Sequence, residues 1–309
     1  MQYTDSPKRH HYVSRSYLKR WLTQSGPGKP GLHVFNKLRN KHFICTDLNA
    51  IAQIRYFNNL EIDIDTYELL LCKYHAIDGY PIKFLKTLEA LVLVDQYKKD
   101  KHQNFEALSA INKSFLEQEF SNIEAVIGLT LNAAENISEG VAQENFSKEL
   151  SHQALALTFC TQFFRTKRVR ERSINHMQKI YFRRGNGTTE LTESQKDNFL
   201  KATLLIESNR MVESMVKDGF SASILVSKSD KNFITSNTPA GLKILSATPA
   251  KDLKDVEGFM ALTPKVALVW SGKGSEITVK NLDLSSVDNI NKRIFKFAAE
   301  EIYSTHKLP

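Results

Sequence analysis

Thr192-Glu193-Ser194-Gln195, then Asp218-Gly219, then Ser223-Ile224-Leu225-Val226 follow one another along the chain, and together they decide its fold class. The first is a capping box, in which a threonine hydroxyl and a glutamine amide each satisfy the other's backbone N–H. The second is a stop, because glycine takes the left-handed backbone that ends a helix. The third is a short apolar run rich in β-branched residues, the composition of a strand. A helix over 193–218 therefore gives way to sheet.

Working outward, the pattern holds on both sides. Asn232-Phe233-Ile234-Thr235 lies beyond the turn Ser229-Asp230-Lys231 and predicts a hairpin with 223–226. Lys265–Ser271 and Glu276–Lys280 read as two more strands around Gly272-Lys273-Gly274, and Val287, Ile290, Ile294, Phe295 and Ala298 give a final helix. Toward the N-terminus, Phe105, Leu108, Ile111, Phe115, Leu116, Phe120 and Ile123 repeat at helical spacing, and Leu155, Phe159 and Phe163 open another stripe that runs on toward His176. Leu32–Phe35 and His42–Cys45 read as strands around the polar turn 36–41, and a short helix follows Ser14. The expected class is α+β, with a mostly helical middle and strands contributed by the N-terminal and C-terminal regions. No linker, repeat or low-complexity tract divides the chain. Residues 1–309 read as a single domain, in three parts: 1–60, 61–219 and 220–309.

Composition excludes several classes. No apolar run approaches the roughly 18 residues that span a bilayer, and no apolar segment follows the basic start, so no membrane partner is expected. The three cysteines, Cys45, Cys72 and Cys160, are far apart and form no CxxC pair, which points to a reduced, cytoplasmic setting. There is no P-loop, no GxGxxG after a strand and no HExxH, so neither cofactor nor metal is expected. Asp63, Asp65 and Glu68 read as an acidic helix start rather than a metal site.

Charge is placed unevenly. Residues 1–20 hold five Lys/Arg and one Asp, giving +4; residues 165–184 hold eight Lys/Arg and one Glu, giving +7. The whole chain carries +8, so everything else sums to −3. Such segments attract phosphate-rich partners, of which nucleic acid is the commonest, RNA being expected before DNA. The segment 155–176 adds a second signal. Its apolar stripe places Gln162 and Thr166 where a helix faces the core, with Arg165 beside them. Buried polar groups of this kind brace a loop or line a pocket. A rigidly placed arginine also suits a bidentate clamp on phosphate. Arg170 with His176 resembles the catalytic pair of the HEPN ribonucleases.

The opening Lys8-Arg9-His10-His11-Tyr12-Val13-Ser14-Arg15-Ser16-Tyr17-Leu18-Lys19-Arg20-Trp21 packs histidines, aromatics and cations into fourteen residues. It resembles the HYVP motif of an uncharacterised bacterial family, domain of unknown function 4238. Further stretches agree in order. Glu119–Glu124 resembles that family's "E…S…IE" helix, and Gln162–Thr166 its "Q…RTP" motif with Arg170 in register. Phe233–Pro239 resembles its "FITSDNP" turn and Leu262-Thr263-Pro264 its "PLSP" strand entry, and the last helix is expected to end in Tyr303-Ser304. Ser14 and Lys167 stand where the motifs have proline, and Asn237 where they have aspartate. The resemblance supplies motifs and not an activity.

Two functions stay open at this point. One is a nuclease, a ribonuclease or related phosphodiesterase acting as a toxin or effector in phage defence, with His11 as acid or base and Gln162 and Arg165 on the phosphate. Lys8, Arg9, His10, Tyr12, Thr166, Arg170 and Asn237 would then bind. The other is a non-catalytic module for nucleic acid or protein. A second copy of the chain or an operon-encoded protein completes the expected partners. The N-terminal motif is expected to be ordered and to pack against the helix carrying Gln162 and Arg165, with Lys167 and Arg168 facing solvent.

Overall fold

The structure, a computed structural model, describes residues 9–24, 28–55, 57–100, 105–140, 150–176, 181–184, 187–245, 253–272 and 274–308. In chain order the elements are β1 (Arg9–His11), α1 (Arg15–Leu18), β2 (Leu32–Asn36), β3 (Lys41–Cys45), β4 (Gln53–Arg55), α2 (Ile64–Tyr74), α3 (Tyr80–Lys99), α4 (Phe105–Ser138), α5 (His152–Phe164) and α6 (Lys167–His176). There follow β5 (Tyr181–Arg184), β6 (Gly187–Glu190), α7 (Glu193–Asp218), β7 (Ser221–Ser227), β8 (Thr235–Ser236), β9 (Ala240–Ile244), β10 (Val256–Thr263), β11 (Val266–Ser271), β12 (Ile277–Leu282), α8 (Leu284–Phe297) and β13 (Glu301–Ser304). The class is α+β, with strands toward both termini and helices between. The capping box forms reciprocally: the Thr192 hydroxyl accepts from the Gln195 N–H at 3.2 Å, and the Gln195 carbonyl oxygen accepts from the Thr192 N–H at 2.9 Å. Gly219 ends α7 at a φ of +76°, which only glycine adopts without strain.

The chain forms two compact units. The first comprises Met1–His10, Ile54–Asn122 and Arg168–Arg210, and the second His11–Gln53, Ile123–Lys167 and Met211–Pro309. In the first unit, apolar faces of α2, α3 and α7 bury one cluster that includes Leu70, Tyr74, Phe84, Leu88, Phe199 and Ile206. Asp63 caps α2, its carboxylate accepting from the Thr66 N–H at 2.9 Å. The acidic triplet is therefore a helix start.

The second unit is built on two sheets. One has the order β12-β7-β11-β10-β9, the other β3-β2-β13-β8. Trp270 on β11 lies in the core with Phe159 and Phe220 edge-on to it. It sits opposite Gly258 on β10, where a side chain would collide with the indole. The 32–45 hairpin forms as β2–β3. The expected pairing of 223–226 with 232–235 does not form, and Tyr303-Ser304 lies in β13 rather than at the end of the last helix. β7 and β8 lie in different sheets, and β12 runs parallel to β7 rather than back along β11. The reason is burial: Ile224, Leu225 and Val226 are successive buried residues, so β7 takes a place between β11 and β12. The Ser227 hydroxyl donates to the Lys231 carbonyl at 2.7 Å, and this closed loop leads the chain away to the other sheet.

The 155–176 stripe is a second correction. It is two helices, because α5 ends at Phe164 and α6 starts at Lys167. Arg165 caps the end of α5 through its N–H to the Thr161 carbonyl, and the Thr166 hydroxyl donates to the Phe163 carbonyl at 3.0 Å. Lys167 is the first residue of α6. Proline is favoured at that position because its missing N–H would have no helical partner there.

Candidate functional site

The structure describes the N-terminal motif from Arg9 onward, and its aromatic residues do the anchoring. The Tyr17 hydroxyl lies 2.6 Å from both the Thr235 hydroxyl and the Ala261 carbonyl, and the Trp21 N–H donates to the Phe233 carbonyl at 3.1 Å. Arg20 pairs with Glu135 on α4. These partners lie on β10 and α4, on β8 and just before it at Phe233. Tyr12 is buried and its N–H donates to the Ala52 carbonyl at 2.9 Å, while His11 is half-buried at the end of β1.

The polar residues of α5 are buried as expected, and the structure gives Arg165 a protein partner. Gln162 is 3% exposed, and no described residue hydrogen-bonds its amide. Thr158, one turn earlier, is fully buried with its hydroxyl unbonded among the described residues. Arg165 forms an ion pair with Glu124 of α4, its side chain 5% exposed. Lys167 is not simply solvated: its ammonium lies 2.9 Å from the Glu300 carboxylate. Cys160, on the same helix, is an inert thiol, because burial pushes its pKa far up.

Asn237 ties the turn after β8 to the last strand. Its carbonyl oxygen accepts from the Glu300 and Glu301 N–H groups at 3.2 and 3.3 Å, and its own N–H donates to the Glu301 carbonyl at 3.1 Å. The Tyr303 hydroxyl donates to the Glu301 carboxylate at 2.7 Å. Burial first, and then Glu301, Tyr12 and Cys45, push the Tyr303 phenol well up. His11, Gln162, Arg165, Thr166 and Asn237 all belong to the second unit.

His10 and Arg170 belong to the first unit instead, where they hold one segment of chain. His10 is fully buried, and its Nδ1 accepts from the Asn58 N–H at 2.8 Å, which leaves Nε2 to carry the proton of the neutral ring. Arg170 pairs with Asp197, donates to the Phe57 carbonyl at 2.9 Å and stacks on the Phe57 ring at 4.5 Å. Lys201 binds the other Asp197 oxygen at 2.9 Å. Burial opposes ionisation of Asp197, but Lys201 and Arg170 outweigh it and hold the carboxyl below its ordinary value. Lys8 and the side chains of Arg9 and His176 lie outside the described residues. Among the described residues, no group of three or more His, Cys, Asp and Glu could hold a metal, and no helix is long and apolar enough to cross a membrane.

A family model described as protein of unknown function, DUF4238, matches residues 9–307. The chain belongs to DUF4238. No curated protein and no solved structure matches it. Against this DUF4238 chain the motif-like stretches acquire physical roles. Glu124 and Arg165, from the "IE" and "RTP" stretches, form one ion pair. At position 237, aspartate or asparagine offers the same acceptor oxygen to two backbone N–H groups. Ser14 stands before α1 with a φ of −56°, an angle that proline also takes.

Sequence reasoning missed the carboxylates. Glu124 was readable only as a surface group beside Ile123, and Asp197 and Glu300 carried no local signal. Each pairs with a cation at least 27 residues away, and Asp197 also with Lys201 one turn along α7.

Proposed function

We propose that this protein binds nucleic acid, RNA before DNA, through Arg168 and Arg172 of α6. One observation carries the reading: α6 sets two like charges one turn apart within a segment of charge +7. Arg168 and Arg172 lie one turn apart, and Arg168 is held below its ordinary pKa by burial and then by the Arg172 charge. Two like charges at this spacing repel. A bridging phosphate relieves the repulsion and gains charge-assisted hydrogen bonds from both guanidinium groups. A cytoplasmic setting, where RNA is abundant, agrees with the three free cysteines.

The test is fluorescence anisotropy with labelled RNA across a salt series. Affinity is expected to fall linearly on a log–log plot, by about 0.7 to 0.9 decade per decade of salt for each phosphate neutralised. Arg168→Glu with Arg172→Glu should abolish binding with an unchanged melting temperature. Flat salt dependence, or full binding by the double variant, overturns the reading.

A second reading, phosphodiester cleavage as a defence effector, rests on Gln162. A buried amide without a described protein partner beside a buried arginine suits an oxyanion better than a solvated face does. His11 would supply the acid or base. Cleavage lost in His11→Ala with RNA binding intact supports it. Absence of cleavage by the unaltered protein removes it.

A further inference from the structure

The four-stranded sheet carries a basic and aromatic face that neither of the two basic sequence segments includes. Strand alternation and register put His33, Phe35, His42 and Ile44 on one side of β2–β3, with His33 opposite Ile44 and Phe35 opposite His42. The rings form a row. Phe35 stacks on His42 at 4.5 Å between centroids and 25° between planes, and on Phe295 of α8 at 6.0 Å and 20°. Over β13 this face is closed, since Ile302 is fully buried. Over β3 it is open: His42 is exposed, Ile44 is 48% exposed and Phe295 39%. β3 is also the edge of its sheet.

The two sequence stretches that meet at this row are basic. Residues 28–46 contain Lys29, Lys37, Arg39 and Lys41 and no Asp or Glu; residues 289–299 contain Lys292, Arg293 and Lys296 and no Asp or Glu. The Phe35–Phe295 stack brings the two stretches together. Two of the seven cations are engaged: Lys37 donates to the Phe295 and Ala298 carbonyls at 2.9 and 2.8 Å, and Arg293 binds Glu257. Lys29, Arg39, Lys41, Lys292 and Lys296 are exposed.

We infer that this face, Phe35, His42 and Phe295 rimmed by Arg39, Lys292 and Lys296, is a docking surface for single-stranded nucleic acid. It rests on the nucleic-acid reading above but uses a different surface in the other compact unit. The occupant follows from the combination. Flat rings with intervening cations match unstacked bases on a phosphate chain. A second copy of this chain would set cations against cations. An acidic peptide would match the charge but leave the rings without planar partners. A duplex would keep its bases stacked and away from the rings.

The experiment compares a labelled oligouridine, a duplex of the same length and an oligoglutamate peptide binding to the full chain at low salt. His42→Ala and Phe295→Ala should each weaken oligouridine binding about 10-fold, the scale of one lost base–aromatic stack. Duplex binding should stay unchanged in both. His42→Phe and Phe295→Tyr keep a ring and should restore affinity, which separates stacking from a loss of fold. Arg168→Glu with Arg172→Glu is the cross-check. If that variant loses the duplex while both alanine variants hold oligouridine normally, this surface is wrong and the α6 reading stands. Tight binding of oligoglutamate in place of oligouridine makes the face a peptide site and overturns the inference. If no nucleic acid binds at all, both readings fall.

Discussion

Arg165 at the end of α5 is paired with Glu124 of α4, so an arginine that the sequence offers as a phosphate clamp is held by an internal carboxylate. Breaking a buried pair strands the surviving charge and costs about 3–5 kcal/mol. Glu124 keeps 26% of its side chain exposed, which lowers the expected loss to about 2–3 kcal/mol. Glu124→Gln and Arg165→Ala should each lower stability by that amount in urea denaturation. Their double variant should lose clearly less than the sum. Additive losses would show that the pair is not coupled, and a wild-type melt for Arg165→Ala would return the residue to the list of ligand-binding groups.

The Asn237 carbonyl oxygen serves the N–H groups of Glu300 and Glu301. Asn237→Asp keeps that acceptor and is expected to cost little at neutral pH, the two N–H donors offsetting repulsion from the nearby carboxylates. Asn237→Ala leaves a buried donor unsatisfied and should cost about 1–3 kcal/mol. Thermal denaturation of the two variants decides it. Equal destabilisation by both would mean that the amide NH2 matters, not the carbonyl oxygen.

How far the sequence reached can be judged at particular residues. The capping box at Thr192, the stop at Gly219 and the 32–45 hairpin were legible because each depends on neighbours a few positions away. The pairing of β7 with β12, the break between Phe164 and Lys167, and the ion pairs of Arg165, Lys167 and Arg170 were not. A strand's partner is fixed by which faces are buried, and α5 and α6 continue one apolar periodicity across the break. The two compact units were illegible for a related reason: each is drawn from three separated stretches, with no linker between them. The same holds for the Phe35–Phe295 row, whose residues lie far apart in the chain.

His33 should report the chemistry of its sheet face. Burial first, and then His306 and His42, lower its pKa from the ordinary value of 6.5. A lowered folded value means that the unfolded chain binds the proton more tightly. The His33 contribution to stability is therefore present above pH 6.5 and is lost as pH falls through the folded value. NMR titration of the imidazole should place its midpoint below that of His42→Ala, where one repelling neighbour is gone. An unchanged midpoint in that variant would show that His42 does not face His33.

Asp197 provides the acid-side counterpart. Two cations, Arg170 and Lys201, share this one carboxylate, and the pair of them also hold the Phe57 and Asn59 carbonyls. Burial raises the Asp197 pKa, but the two charges and their hydrogen bonds leave it below 3.8. With the folded value depressed, its contribution is complete above pH 3.8 and disappears as pH falls through the folded value. Asp197→Asn keeps an acceptor oxygen but removes the charge. It should lower stability at neutral pH and flatten the decline below pH 3.8, as followed by urea midpoints across an acid series. Asp197→Ala should lose more, because two largely buried cations then face each other with no carboxylate between them. If Asp197→Asn leaves the acid slope unchanged, protonation of another carboxylate governs acid unfolding, and the cluster holding residues 57–59 is not its origin.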